Sequence, residues 1–246
     1  MLLYTTLASW YPLLTPLENY EEEAATFRKI FLDALGERPQ GHRWSLLELG
    51  AGAGHNTHFF QEDFALVLTD LSPEMLRLAA QSCPDARLVQ GDMRSLRLET
   101  TFDAVFVHDA VSYLRRPEEL DAMLATAAAH LRPGGVLVVA PDYVAETFAP
   151  EYEEDSVDEG ERSFRYHAWV NPADDEGYSV DYVYITRAGD QPPQVHQERH
   201  LEGLFSRASW EQALRRAGFS RLPPHHWRHS EVDRDLDIFV ARHGGK

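Results

Sequence analysis

The residues that speak most directly of chemistry are Glu48-Leu49-Gly50-Ala51-Gly52-Ala53-Gly54. They follow the apolar pair Leu46-Leu47 and precede Phe59-Phe60, which predicts a strand, a glycine turn and the start of a helix. Glycine accepts positive φ and has no Cβ, so a ligand can lie close against this backbone. A helix that opens there directs free N–H groups at whatever covers the turn. Nucleotide-like ligands use such a turn. The dinucleotide fingerprint G-x-G-x-x-G needs its third glycine for helix–strand packing; here that position is His55, and the fingerprint fails. Next, Ala65-Leu66-Val67-Leu68-Thr69-Asp70 reads as an apolar strand ending in an acid, with Leu71 just beyond. A carboxylate at that place can accept the ribose hydroxyls of an adenosine. Gly91-Asp92-Met93 follows a third apolar stretch, and Phe102 to Val107 a fourth, which delivers His108 and Asp109 at its end. Imidazole there suits a base or a cofactor contact. Asp109 suits a substrate contact or the cap of the following turn.

These groups need a scaffold that brings strand ends together. Strands and helices alternate from Leu46 to Ala140, which implies a parallel sheet with helices on both faces. Thr15-Pro16-Leu17-Glu18 predicts a capped helix running to Leu35 and stopping at Gly36. Ser72-Pro73-Glu74-Met75 starts another by the same devices, and Pro117 to Leu131 a third. After Pro141 the pattern changes. Glu151 to Glu161 reads as an acidic surface loop. Ser163–Val170, Tyr178–Thr186 and Gln194–Phe205 alternate polar with apolar or aromatic residues, predicting an antiparallel meander with one buried face. Ser206 caps a helix ending near Gly218, and Phe219–Trp227 and Leu236–Ala241 supply closing strands. The resulting division is residues 1–141 as N-terminal helices and nucleotide-binding core, 142–205 as an antiparallel insertion, and 206–246 as the helix and strands that complete the core. The insertion leaves the fifth strand at the carboxyl edge, where open α/β sheets bind ligands, so it is expected to lid the site and select the substrate.

With 246 residues the chain can bury a substantial core. Its 40 acidic against 23 basic residues give a formal charge of −17, which disfavours a nucleic-acid partner because that binding relies on cations displacing counterions. Cys83 is the single cysteine, so no intrachain disulfide forms. No apolar run has bilayer-spanning length. The expected setting is the cytoplasm, with no membrane partner, as monomer or homodimer. His196, Glu198 and His200 would share one face of a strand, and His225, His226 and His229 form a second group. Neither has the spacing of an established zinc site, and no metal is assigned.

The ordered set of motifs from Leu46 to Pro141 resembles the class I S-adenosylmethionine (SAM) methyltransferases: E-x-G-x-G-x-G, the acid at Asp70, Gly91-Asp92-Met93, the strand to His108-Asp109, and Leu131-Arg132-Pro133-Gly134-Gly135 before the fifth strand. The resemblance implies a Rossmann-like seven-stranded sheet, SAM as cofactor, and methyl transfer to nitrogen or oxygen of a small-molecule acceptor. It implies that Gly50, Gly52 and Gly54 hold the amino-acid end, that Asp70 orients the ribose, that Asp92 and Met93 hold the adenine, and that Glu48, Ala51, Leu71, Met75 and His108 complete the cofactor site. More loosely, Asp142-Tyr143, His196 to Leu201, Leu204-Phe205-Ser206 and Ala8-Ser9-Trp10-Tyr11 resemble the dTDP-amino-sugar N,N-dimethyltransferases. That likeness implies that Tyr11 approaches the SAM methyl group. It departs at two places. Those enzymes carry a histidine beside the acceptor amine where this chain has Tyr113, and an acid after the N-terminal tyrosine where it has Pro12. Fold, cofactor and cap carry over from the likeness; the amino-sugar acceptor does not. The candidate catalytic residues are His108, Asp109, Tyr11 and Tyr113. The competing readings are a SAM-binding protein without turnover and, on the glycine turn alone, a nicotinamide-dependent oxidoreductase.

Overall fold

A computed structural model describes residues 1–38, 40–223, 225–228 and 235–244. Its first half is the alternation expected. β1 (Trp44–Leu49), β2 (Phe64–Asp70), β3 (Arg87–Gln90), β4 (Phe102–His108) and β5 (Leu131–Ala140) are parallel, in the order β5-β4-β1-β2-β3. β4 shows why the run lacks alternation: Val105, Phe106 and Val107 are all fully buried, because helices cover both faces. On one face lie α2 (Glu21–Leu35), through Phe27, Ile30 and Phe31, and α4 (Pro73–Ser82), through Ala79. On the other lie α5 (Pro117–His130) and α6 (Arg207–Arg216), through Leu124 and Trp210.

Capping chemistry accounts for several boundaries. Ser72 accepts from the Met75 amide and Ser206 from the Ser209 amide, so α4 and α6 begin where their serines predict. Gly36 closes α2 at φ 80°. The start of α2 differs from expectation. Thr15 Oγ1 donates back to the Tyr11 carbonyl of α1 (Tyr11–Leu14), and Leu17–Tyr20 forms a separate 3-10 turn before Glu21. Thr15 is therefore consumed as the terminus of the preceding turn. The third predicted helix ends at His130, and Leu131 already belongs to β5.

The sheet continues as β10-β12-β5, where β10 is Phe219–Arg221 and β12 is Asp235–His243, both joined antiparallel; β11 (His225–Arg228) also pairs with β12. The main path thus has seven strands in the order β10-β12-β5-β4-β1-β2-β3. Of the second histidine group, His229 lies outside the described residues.

Between β5 and α6 stands a separate four-stranded antiparallel sheet, β6 (Glu151–Glu159), β7 (Arg162–Val170), β8 (Tyr178–Ala188) and β9 (Gln194–Glu202). The predicted acidic loop is in fact β6. It is an edge strand in which only Val157 is partly covered, so no apolar alternation marks it. Its carboxylates also guard an open edge against stray strand pairing. The inner face of the sheet buries Phe164 and Tyr184 against Leu3, Leu7 and Leu13 of the N-terminal segment. Where β9 ends, the Gly203 amide donates to the Ser112 carbonyl at 2.7 Å. A Cβ on Gly203 would stand 1.9 Å from the Leu114 carbonyl oxygen, so only glycine lets these backbones meet. The second sheet is thereby fixed over the carboxyl end of β4.

Candidate active site

The glycine turn leaves β1 with Gly50, Gly52 and Gly54 at φ 78°, 55° and 71°. Gly54 caps α3 (His55–His58), which is a single turn. The expectation of free amides over a helix start needs correction. Gly50 and Ala51 amides donate to the Thr69 carbonyl, Gly52 to Asp70 Oδ2 and Gly54 to the Ala51 carbonyl. The turn therefore offers close approach rather than these donors, since folding the strand end satisfies each of them first. The direction a Gly52 Cβ would take meets only Met75 Cε, at 3.7 Å. A Gly50 Cβ would instead run into Ala110 and Met93 side chains at 2.4 and 2.9 Å, which places Met93 against the turn.

Asp70 ends β2 with one carboxylate oxygen on the Gly52 amide at 2.9 Å and the other on the Ser72 amide at 2.8 Å. Each oxygen keeps a lone pair for a further donor. Burial raises its pKa, and the Ser72 and Gly52 amides work against that rise. Leu71, 60% exposed, projects beside it as an apolar surface at the strand end. Asp92 is not free: Arg94 engages both its oxygens, and Arg94 also binds Glu119 at 2.7 Å. The Arg94 guanidinium lowers the Asp92 pKa. An adenine amino group at Asp92 would share the carboxylate with that arginine.

Glu48 lies beneath the turn, accepting from Thr57 Oγ1 at 2.8 Å. Burial pushes its carboxyl up to about 8 despite the Thr57 hydrogen bond. His55, standing where a third glycine was sought, is buried between the rings of Tyr11 and Tyr20, with centroids 5.6 and 4.8 Å away. Burial lowers its pKa to about 4, so it is neutral. The Glu48 value has a consequence for stability. A carboxyl whose folded pKa lies above its unfolded value stabilises fully only below the unfolded value, and that contribution is lost as pH rises through the folded one. The window runs from 4.5 to about 8. Glu48→Gln keeps an acceptor for Thr57 and removes the ionisation. Its melting temperature is expected to gain on the wild type across this window. Parallel melting curves would show that Glu48 ionises normally.

The four catalytic candidates meet different neighbours at the carboxyl end of β4. His108 points to the α2 side, with Nε2 3.0 Å from Asp109 Oδ1 and 3.4 Å from Glu23 Oε1, and with its ring stacked on Phe106. Asp109 has φ 43°, the sole positive φ outside glycine among the described residues. Its side chain makes no cap bond; its carbonyl takes the Ser112 amide instead. Such backbone strain costs on the order of 1–3 kcal/mol and persists only where surroundings enforce it. A cavity of 270 Å³ opens here, bordered by Tyr20, Glu23, His108, Asp109 and Asp142. Tyr113 lies under the second sheet, 2.9 Å from His200 Nδ1. Tyr11 packs against Ala8, Ala53 and Met75, beside the glycine turn.

Tyr4 is the residue sequence reading missed. Its ring lies 6.2 Å from Tyr11 and 6.3 Å from Tyr113, and its hydroxyl 3.2 Å from that of Tyr113. No local motif surrounds it; only the return of the N-terminal segment over the sheet end places it there.

Residues 46–135 match a methyltransferase domain family. The dTDP-3-amino-3,4,6-trideoxy-alpha-D-glucopyranose N,N-dimethyltransferase of Streptomyces venezuelae is 40% identical over 178 residues, covering 71% of this chain and 74% of that protein. The dTDP-3-amino-3,6-dideoxy-alpha-D-glucopyranose N,N-dimethyltransferase of Streptomyces fradiae is 32% identical over 205 residues, covering 82% and 78%. Among solved structures, DesVI of Streptomyces venezuelae superposes with TM-score 0.80 at 29% identity, covering 95% of this chain and 97% of that one. SAM-bound CalS10, an amino pentose methyltransferase from Micromonospora echinaspora, gives 0.74 at 28% identity, covering 91% of each chain. The residues present suit SAM: a turn with open space over Gly52, an acid with spare lone pairs, and the apolar surface of Leu71 beside it. On sequence, fold and the chemistry of this turn together, the chain belongs to the SAM-dependent methyltransferases.

Proposed function

We propose that this enzyme methylates the amine of a nucleotide-linked amino sugar. The observation that carries the reading is the pair of dTDP-amino-sugar N,N-dimethyltransferases that match this chain across most of their length. The cavity at the end of β4 supports it. Glu23, Asp109 and Asp142 border that space, and carboxylates favour a cationic ammonium over an anionic or neutral acceptor. Tyr113 takes the place of the histidine found in the sugar enzymes and stands under the second sheet, which we read as the lid that selects the acceptor.

In this scheme Gly52 and Asp70 hold the amino-acid and ribose parts of SAM, and Met93 borders the adenine. Tyr11 and Tyr4 close the chamber from the N-terminal segment. A sulfonium methyl is already activated, so the enzyme's main work is alignment of the nitrogen behind the carbon. The bound SAM supplies the methyl group; the chain supplies orientation and a route for the amine proton. Among the described residues no helix is long and apolar enough to cross a membrane. We place the reaction in the cytoplasm, with neither nucleic acid nor membrane as partner, and with the enzyme as a monomer or homodimer.

The test is incubation with SAM and a panel of dTDP-linked 3-amino and 4-amino deoxysugars, beside their 3-hydroxy and 4-hydroxy counterparts. S-adenosylhomocysteine is expected with the amines, with one and then two methyl groups gained by mass spectrometry. Transfer to the hydroxy sugars alone would overturn the amine assignment.

A further inference from the structure

Tyr113 belongs to a longer line of buried polar groups that the motifs do not announce. Its hydroxyl is 2.9 Å from His200 Nδ1 on β9 and 3.2 Å from the Tyr4 hydroxyl. On its far side, His200 Nε2 is 3.2 Å from Glu198 Oε1. The line thus joins the antiparallel sheet, the turn after β4 and the N-terminal segment. It is shielded from water: the His200 side chain is 1% exposed and that of Glu198 10%. Glu198 is further fixed by the Leu2 and Leu3 amides, at 2.6 and 3.2 Å.

His200 Nε2 approaches the Glu198 carboxylate without an aligned hydrogen bond, so it is the nearby negative charge that favours a proton on that nitrogen. With a proton on Nε2 facing the Glu198 carboxylate, Nδ1 is left as an acceptor, and the Tyr113 hydroxyl donates to it. The Tyr113 oxygen then keeps its lone pairs for Tyr4 and for one further N–H or O–H donor. A phenol so arranged can receive a proton on its oxygen while passing its own to the imidazole.

We propose that His200, backed by Glu198, is the positioning base of this methyltransferase, drawing the acceptor's proton away through Tyr113. The proposal rests on the amine reading above. The ammonium N–H bond breaks, and its electron pair stays on nitrogen. That proton goes to the Tyr113 oxygen as the phenolic proton moves to His200 Nδ1, leaving an imidazolium beside the Glu198 carboxylate. The freed nitrogen pair forms the new C–N bond, while the C–S bond breaks with its pair to sulfur. The positive charge of the sulfonium ends on the methylated amine. The histidine absent from position 113 is in this way supplied from β9, through a tyrosine.

Other titratable groups face the same pair. Tyr4 comes from the N-terminal segment, Tyr182 from β8 with its ring 4.7 Å from His200, and Glu202 from further along β9. Burial raises the phenols. Burial, followed by the nearby Asp142, pushes Glu202 up to about 7, so Glu202 titrates in the working range. Its contribution must be separated from that of His200.

The experiment measures kcat against pH for the full chain with SAM and a dTDP-amino sugar, in wild type, His200→Gln, Tyr113→Phe and Glu202→Gln. Calorimetric SAM affinity and melting temperature report folding. Loss of a positioned base should lower kcat at neutral pH by roughly 100-fold in the first two variants. Their SAM affinity should stay at the wild-type value. Rate should return at alkaline pH as solvent takes the proton, and the wild-type inflection should survive in Glu202→Gln. In parallel, the His200 imidazole is followed by NMR of 15N-histidine-labelled protein, and its Nδ1 chemical shift should move in Tyr113→Phe as the hydrogen bond is lost. A His200→Gln profile superimposable on the wild type would overturn the proposal, as would an Nδ1 chemical shift indifferent to Tyr113→Phe. Hydroxy-sugar transfer with the His200–Tyr113 coupling intact would overturn the amine reading and support the relay.

Discussion

Gly52→Val is expected to abolish SAM binding while leaving a folded protein. Gly52 sits at φ 55°, in the left-handed region that a β-branched residue avoids. The protein itself does not fill the space beyond it, since a Cβ would touch only Met75 Cε at 3.7 Å. The valine methyl groups would therefore stand in the volume proposed for the ligand. They would also pull on the amide that anchors Asp70 at 2.9 Å. Strain and obstruction act together, and calorimetry should show affinity reduced by more than ~100-fold, about 2.7 kcal/mol. A modest fall in melting temperature should accompany it. Wild-type affinity in this variant would move the cofactor away from the turn.

Asp70→Ala should weaken SAM binding by about 1–3 kcal/mol, the worth of a hydrogen bond to a charged acceptor. Two effects contribute. The ribose hydroxyls lose their acceptor, and the Gly52 and Ser72 amides lose the carboxylate that braces the turn against the start of α4. Asp70→Asn separates them. Its carbonyl can still receive one amide, while its NH2 group faces a donor. Binding in the wild type should weaken on acidification, because burial raises the Asp70 pKa and protonation converts an acceptor oxygen into a donor. Unchanged affinity in Asp70→Ala, measured by the same calorimetry, would remove the ribose role. The change should fall on SAM and S-adenosylhomocysteine alike, since both carry the ribose.

The sequence determined the parts of this protein that local physics can write. Unbroken apolar runs become strands buried on two faces, as in Val105-Phe106-Val107. Serines whose hydroxyls accept a first-turn amide start helices, as Ser72 and Ser206 do. Glycines at forced positive φ mark the turn after β1. Alternation marks β7, β8 and β9, whose one face is covered. Where almost nothing is covered the signal vanishes, which is why β6, with only Val157 partly buried, reads as a loop.

Tertiary structure alone decided how those parts meet. Which amides of the glycine turn remain free depends on Thr69 and Asp70 of the neighbouring strand. Whether Asp92 stands open depends on Arg94, which folds back over it. His108 and Tyr113 are close in the chain yet meet different elements, His108 the Glu23 carboxylate of α2 and Tyr113 the His200 imidazole of β9. Tyr113 and His200 are far apart in the chain yet hydrogen-bonded. Periodicity records which side of an element is buried, but says nothing of which distant side chain will lie against it. Hydrogen bonds between remote segments depend on ångström-scale positions that only the assembled sheets fix.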